Sequence, residues 1–265
     1  MKVLFIGDIV GGPGRRVVGA QARRLAEEHG AELVIANCEN AAAGFGITPA
    51  LVEELLGAGL DVLTSGNHIF DRKEILPFFE QGAAEGRLLR PANYPGDTPG
   101  RGLYVGHARS GAPFAVLNLQ GRVFMPQIDC PFQTADRLLG QIPKDVKVVV
   151  VDMHAETTSE KQAMGWYLDG RVSAVLGTHT HVPTADEKIL PGGTAYITDV
   201  GMTGPYESVI GNAKEDVLRR FLTSLPTRLD VATDDVRLCG ALLDLDVSTG
   251  RARRLERLAL NENRK

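Results

Sequence analysis

Two histidines, His179 and His181, are separated by one residue and follow the apolar run 173–176. In an extended or turning backbone, side chains at positions i and i+2 point the same way, so both imidazoles can enter one site. Neutral imidazole is a good ligand for zinc, iron, manganese or nickel. An isolated pair of this kind is more often two surface or turn histidines. The interpretation therefore depends on which other polar residues the fold places beside the pair.

A layered α/β fold is predicted from the alternation of short apolar runs with segments of helical period. Strands are expected at 3–6, 33–36, 61–64, 114–119, 146–151, 173–176 and 195–198, followed by a hairpin of 240–247 with 254–260. Helices are expected to start near Pro13 or Gly14, at Thr48-Pro49 and at Asp71, and to occupy 134–139, 159–168 and 213–222. Residues 82–113, rich in Gly and Pro, predict irregular connections with at most short strands. No linker is evident, so residues 1–265 are expected to form a single domain.

Eight polar residues are predicted to lie just beyond the carboxyl ends of these strands. In layered α/β folds that edge is where ligands bind, because the loops converge there while the strands hold them rigidly. A single such residue is easily explained as a turn residue that bonds its own backbone. Eight residues of metal-ligand and acid/base types predict a shared polar site. They are Asp8, Glu39, Asn40, Asn67, His68, His154, His179 and His181.

The composition is that of an ordinary globular protein, with 43% hydrophobic and 23% charged residues among 265. A net charge of −4 argues against a broad basic surface for long nucleic acids. The cysteines, Cys38, Cys130 and Cys239, are far apart and form no Cys-x-x-Cys motif, which favours a reducing, cytoplasmic setting without a structural zinc site. No signal-peptide core and no run of about 18 apolar residues is present, so no membrane association is expected.

Several other ligand-binding motifs do not match this sequence. The glycines after Asp8 are not spaced as Gly-x-Gly-x-x-Gly, and no Gly-Lys-Ser/Thr closes a phosphate-binding loop. A metallo-β-lactamase-like hydrolase would continue His-x-His as x-Asp-His, whereas Pro183 and Thr184 occupy those places. An amidohydrolase would carry its His-x-His on the first strand, and this pair lies near residue 180.

The motifs together resemble those of the calcineurin-like metallophosphoesterases, in order and spacing across residues 7–181. The matching segments are Gly7-Asp8-Ile9-Val10-Gly11, Asn37-Cys38-Glu39-Asn40, Ser65-Gly66-Asn67-His68, His154 after its apolar strand, and Gly177-Thr178-His179-Thr180-His181. Two motifs differ from the usual pattern of the superfamily. The first is usually Asp-x-His, but no histidine follows Asp8 here. The second usually has Asp, but here it has Glu39 followed by Asn40. Both departures resemble the YmdB-like branch of bacterial phosphodiesterases, and so do the segments 40–46 and 199–205. With these segments included, the similarity covers nearly the whole chain.

This resemblance implies a four-layer α/β/β/α sandwich of two mixed sheets and a binuclear centre of two divalent or mixed-valence metal ions, iron or manganese. It also implies hydrolysis of small phosphodiesters, 2′,3′-cyclic nucleotides above all. One metal would be held by Asp8, Asn40 and His181, and the other by Asn67, His154 and His179, with Glu39 bridging them. A metal-bridging hydroxide would attack phosphorus. His68 is the expected general acid for the leaving oxygen, since an imidazole can carry a proton near neutral pH.

Other expectations are less specific. Phe45, between two glycines, is a candidate to stack a nucleobase, although a core role is at least as common. Asp152, Asp186 and Asp199 could orient ligand histidines, and Arg15 with Arg16 could contact phosphate at a helix N-terminus; surface roles are the default for all of them.

The sequence is compatible with several alternatives. Segment 201–211 could cover the site or contact another subunit, and homo-oligomerisation is undecided. The same ligands would also serve a metal-dependent regulatory protein that senses nucleotides with little turnover. A phosphomonoesterase could use the same site.

Overall fold

A computed structural model describes residues 1–262 of the chain. Within that range the strands are β1 (Lys2–Ile6), β2 (Leu33–Asn37), β3 (Val62–Thr64), β4 (Leu103–His107), β5 (Pro113–Gln120), β6 (Val148–His154), β7 (Ala174–Thr178), β8 (Lys188–Ile189), β9 (Ala195–Ile197), β10 (Gly204–Pro205), β11 (Val236–Leu245) and β12 (Ala252–Asn261). The α-helices are α1 (Gly11–His29), α2 (Pro49–Gly57), α3 (Ile75–Glu80), α4 (Pro131–Leu139), α5 (Thr158–Leu168) and α6 (Lys214–Thr223). A short 3-10 segment occupies Ala83–Gly86.

The strands form two mixed sheets. In the first, β1, β2 and β3 are parallel neighbours, β11 runs antiparallel to β1, and β10 and β12 pair with β11. In the second, the order is β4-β5-β6-β7-β9-β8, with β5, β6, β7 and β9 parallel. Parallel strands that are covered on both faces have nearly continuous apolar sequences. Strand β6 is an example, since it is buried along its whole length.

The two sheets pack face to face, with helices on both outer faces. The inter-sheet core joins Val3, Phe5, Leu33 and Ile35 of the first sheet to Val116, Val148, Val150 and Leu176 of the second. A second cluster packs α1 and α2 on the outer face of the first sheet through residues such as Val17, Leu25, Val52 and Leu55. A third packs α4 and α5 on the second sheet through Ala135, Leu138, Met164 and Leu168. The predicted four-layer α/β/β/α sandwich is confirmed.

Most predicted elements are present. The two-residue strands β8 and β10 were not predicted, β4 lies in the segment where at most short strands were expected, and several helices start at other residues than predicted. Thr48 caps α2 as predicted, because its hydroxyl accepts a hydrogen bond from the Leu51 amide. Helix α1 begins earlier than Pro13, at Gly11, whose φ of 58° only glycine adopts easily. The prediction that Asp71 caps α3 is wrong, since the helix starts at Ile75 and the Asp71 carboxylate bonds the His68 ring instead.

No helix within residues 1–262 is long and apolar enough to cross a membrane. The carboxyl ends of β1, β2 and β3 meet those of β5, β6 and β7 at one edge of the sandwich. Asn37, at the end of β2, donates to the Asp152 carboxylate of β6 at 3.0 Å, and Thr64 of β3 donates to the same carboxylate at 2.5 Å. This buried polar layer locks the two sheets together directly beneath the edge where the predicted site lies.

Candidate metal centre

The seven predicted metal ligands lie at this edge, and five of them are almost completely buried. Each follows or ends a strand, so the rigid sheets determine where its backbone lies. The exposed fraction is 0% for Asp8 and His154, 1% for Glu39, 3% for Asn40 and 9% for His181. Buried polar groups are costly unless they are hydrogen-bonded, paired or bound to metal, so this concentration marks a functional site.

One group of ligand atoms converges around the His154 ring. Its Nε2 atom lies 2.9 Å from Oε1 of Glu39, 3.2 Å from Oδ1 of Asn67 and 3.1 Å from Nδ1 of His179. The ligand atoms of Glu39, His154 and His179 all lie within 4.8 Å of one another. Four donor atoms, each at or just beyond the end of a different strand, thus lie close together, which is the arrangement that a single cation requires.

Asn40 and His181 form a second contact, and Asp8 lies beside His179 and His154: its Oδ2 accepts a hydrogen bond from the His179 amide at 3.2 Å, and its Oδ1 lies 3.8 Å from Nδ1 of His154. Nε2 of His181 lies 3.3 Å from Oδ1 of Asn40, while the Asn40 amide nitrogen donates to the Gly44 carbonyl at 2.9 Å and so turns its oxygen toward the histidine. Oδ1 of the fully buried Asp8 accepts no hydrogen bond within residues 1–262. An orphaned buried carboxylate oxygen fits a metal ligand, because a cation would compensate its charge.

Hydrogen bonds select which nitrogen two of the three ligand histidines present. Nδ1 of His181 donates to the Ile210 carbonyl at 2.8 Å, which leaves the lone pair on Nε2 facing Asn40. Nδ1 of His154 lies 2.9 Å from the Thr178 hydroxyl, and that hydroxyl donates to Asp152 at 2.6 Å. The loop 201–211 therefore reaches the site through Ile210. Asp152 orients His154 through Thr178 rather than by direct contact.

The charge balance of the site favours a cation. Burial alone would lower the pKa of His154, but the nearby carboxylates, Glu39 first and then Asp8, raise it to about 9. Burial raises the pKa of Asp8. Burial and the neighbouring His154 lower the pKa of His179 to about 3, so this ring is neutral and available as a ligand. A proton on His154 thus balances the buried negative charge that a metal ion would balance instead.

The backbone around the ligands is strained and closely packed. His179 and His181 have positive φ angles of 95° and 66°, which cost energy for any residue with a side chain and are typical of functional sites. Gly66, two residues before the candidate general acid, lies against the His154 ring, and a Cβ atom there would be 2.0 Å from that ring. Only glycine allows the 65–68 loop to approach the centre this closely.

His68 lies beside the ligands and is not one of them. Its backbone amide donates to Oε2 of Glu39 at 2.9 Å, and its ring nitrogen Nδ1 lies 2.7 Å from Oδ2 of Asp71. Phe45 packs edge-on against the same ring, with centroids 5.0 Å apart, and its side chain is 37% exposed. The structure thus places Phe45 next to His68, outside the ligand cluster.

Two features at this edge were not found from the sequence. The buried Lys161 forms an ion pair with Asp199 at 2.7 Å, and Asp199 also accepts hydrogen bonds from the amide and hydroxyl of Thr180, between the two ligand histidines. Gln120 is fully buried directly opposite His154 in the sheet, and its amide has no hydrogen-bond partner within the described chain. Neither side chain belongs to a motif, and an isolated lysine or glutamine in a helix or strand gives no signal in the sequence.

The remaining candidates have structural partners away from the ligands. Arg15 bonds the Glu54 carboxylate and the Ala41 carbonyl, and Arg16 pairs with Glu262. Asp186 accepts hydrogen bonds from Thr184 and Thr198 and contacts no histidine.

Comparison with known proteins places this geometry in a family. The chain is 48% identical to a 2′,3′-cyclic-nucleotide 2′-phosphodiesterase of Bacillus subtilis (strain 168), over 99% of this chain and 98% of that protein. It superposes with a TM-score of 0.91 on a hypothetical protein from Thermus thermophilus, at 42% identity, covering 98% of this chain and 99% of the other.

A second solved structure, described as a novel phosphatase from Mycoplasma pneumoniae, also superposes with a TM-score of 0.91. The identity is 34%, and the match covers 98% of this chain and 93% of that one. The family model of YmdB-like proteins matches residues 4–258. The predicted resemblance is confirmed: the chain belongs to the YmdB-like protein family.

Proposed function

We propose that this protein is a metal-dependent phosphodiesterase that hydrolyses small phosphodiesters, 2′,3′-cyclic nucleotides in particular. The observation that carries the proposal is the convergence of Glu39, Asn67, His154 and His179 at one edge of the sandwich, with Asp8 and the Asn40–His181 contact beside them. Its substrate class is supported by the relative from Bacillus subtilis, which is named for 2′,3′-cyclic nucleotides and aligns over nearly both chains.

The donor set fits two metal ions. Asp8, Asn40 and His181 would hold one ion, and Asn67, His154 and His179 the other, with Glu39 in contact with both. Imidazole, carboxylate and amide donors in one site fit iron or manganese better than magnesium or calcium, which prefer oxygen ligands alone. When bound, such ions stabilise negative charge on a phosphate group and lower the pKa of water in the site.

The chain's own residues would then control protons and orientation. Hydrolysis of one ester forms a bond from water oxygen to phosphorus and breaks the bond from phosphorus to the ribose oxygen, which must gain a proton. His68 would donate that proton; its contacts with Glu39 and Asp71, outside the ligand cluster, support this role. Phe45, partly exposed against His68, offers an apolar face to the nucleoside.

We further propose that residues 1–265 act as one domain in the cytoplasm. The free cysteines Cys38, Cys130 and Cys239 support a reducing compartment.

The test combines metal content with turnover. The purified protein is analysed for its elements and assayed on bis-p-nitrophenyl phosphate and 2′,3′-cyclic AMP, with and without added manganese. About two ions per chain and turnover of both substrates are expected. Glu39→Ala is expected to lose metal and activity, because it removes the carboxylate that would help to hold both ions. Glu53→Ala, an exposed glutamate on α2, is the matched control and is expected to behave as wild type.

Two outcomes would contradict the proposal. Full metal loading without hydrolysis of either diester would indicate a nucleotide-sensing protein. With the monoester p-nitrophenyl phosphate as a third substrate, hydrolysis of that substrate alone would indicate a phosphomonoesterase.

A further inference from the structure

A cavity of about 720 Å³ lies outside the candidate metal centre. None of the predicted metal ligands lines it, nor does His68 or Phe45. Its walls come from the segment 79–103, which connects the two sheets, and from the loop and helix around 129–141. A volume of this size lies within the range of small-molecule sites, about 300 to 1,000 Å³.

The cavity is lined by three arginines and one carboxylate, which gives a formal charge of +2. The arginines are Arg90, Arg101 and Arg137, and the carboxylate is Asp129. Within residues 1–262, no carboxylate lies in ion-pair distance of any of the three guanidinium groups. Such a cluster is notable in a chain of net charge −4, because the like charges repel each other unless an anion compensates them.

The three arginines differ in how they are held. Arg90 is 6% exposed, and its guanidinium donates to the carbonyls of Pro91, Thr98 and Pro99 at 2.8 to 3.0 Å. These neutral acceptors fix the group without cancelling its charge. The side chains of Arg101 and Arg137 are exposed and make no hydrogen bond in the described chain, so all their donors are free for a ligand.

An aromatic wall completes the cavity. Phe79 and Tyr94 line it, and Phe70 packs edge-on against both, at centroid distances of 6.0 and 5.5 Å. Burial first, and then the charges of Glu39 and Asp71, raise the pKa of Tyr94 to about 12, so the phenol keeps its proton at neutral pH. Rings held by their neighbours make a good stacking surface for a nucleobase, because little side-chain freedom is lost on binding.

We propose that this cavity is a nucleotide-binding site separate from the metal centre, which takes a nucleoside monophosphate. Arg101 and Arg137 bind the phosphate by charge-assisted hydrogen bonds, which planar guanidinium groups form in pairs. Arg90 adds a fixed positive charge, and the base lies against Tyr94 and Phe79. Binding at this site requires no metal, because no candidate ligand of the metal centre takes part.

Equilibrium binding of 5′-AMP to the full-length, EDTA-treated protein tests this proposal, by calorimetry or dialysis. One molecule is expected to bind per chain, with adenosine and inorganic phosphate each binding at least about tenfold more weakly. Arg101→Ala/Arg137→Ala is expected to weaken 5′-AMP binding at least about tenfold, and the corresponding double Lys variant is expected to restore part of it. Both arginines are exposed, so the variants are expected to fold.

Arg219→Ala/Arg220→Ala is the matched control, since it removes two exposed arginines from α6, away from the cavity, with the same change in net charge. If the cavity variant and the control variant lose the same affinity for 5′-AMP, the loss is due to the change in net charge, and the proposal is overturned. Absence of saturable binding, or equal binding of adenosine and 5′-AMP, would overturn it as well. Because the protein is stripped of metal, these results are independent of whether the metal centre hydrolyses phosphodiesters.

Discussion

Replacing Lys161 by Met is expected to destabilise the protein far more than a change at an ordinary salt bridge. The Lys161 side chain is 1% exposed and its partner Asp199 is 0% exposed, with Nζ and Oδ2 2.7 Å apart. Methionine fills a similar volume but leaves the Asp199 carboxylate without its counter-charge. That carboxylate keeps hydrogen bonds from the Thr180 amide, the Thr180 hydroxyl and the Gly201 amide, which offset only part of the loss.

The expected loss in the free energy of unfolding depends on how deeply the ion pair is buried, and not on the distance between its two charged atoms. Breaking a buried ion pair by removing one partner costs about 3 to 5 kcal/mol, because the other charge remains in a poorly solvating interior. The pair of Lys214 with Glu207 has the same 2.7 Å separation, but its side chains are 43% and 60% exposed. Water and salt screen that pair, so Lys214→Met is expected to cost less than about 1 kcal/mol.

Urea unfolding of the EDTA-treated proteins measures both changes in the free energy of unfolding. Metal is removed first because bound ions would add their own stabilisation. Adding Asp199→Asn to Lys161→Met is expected to recover stability, since the unpaired charge is then gone. If the free energy of unfolding of Lys161→Met lies within about 1 kcal/mol of wild type, the range expected for Lys214→Met, the buried pair does not hold the histidine loop in the way that the structure indicates.

Three further outcomes are expected. His68→Ala should keep its metal and lose about 10²- to 10⁴-fold in turnover, with Asp71→Asn less impaired; loss of metal from His68→Ala in elemental analysis would remove the assignment of a general acid. Gly66→Ala should lose metal, because its Cβ would lie 2.0 Å from the His154 ring, and wild-type metal content would contradict that contact. In EDTA-treated protein, the raised pKa of His154, about 9, contributes stability that is complete below pH 6.5 and is lost as the pH rises to 9, at up to about 1.4 kcal/mol per unit. Urea unfolding across that range checks this, and a His154→Gln variant with the same pH dependence would refute it.

Much of the fold could be predicted from local sequence patterns. The alternation of apolar runs with helical-period segments predicted seven strands in order, and Thr48-Pro49 predicted the start of α2 correctly. Both signals depend on neighbours along the chain, through side-chain periodicity and capping geometry. The boundary at Asp71 was predicted wrongly for the opposite reason. The Asp71 carboxylate could have capped a helix or bonded the His68 ring. Tertiary packing near the site brings it to the His68 ring.

The order of strands along the chain was enough to predict which residues meet at the candidate centre, because each ligand ends or follows a strand and parallel strands end at one edge. How those residues are held depends on tertiary packing. Ile210 selects the free nitrogen of His181 from 29 positions away, and Lys161 supports the loop through Asp199 from 38 positions away. The arginines of the second cavity likewise lie on separate segments. No local pattern encodes such partners, since they are chosen by how sheets and loops pack in three dimensions.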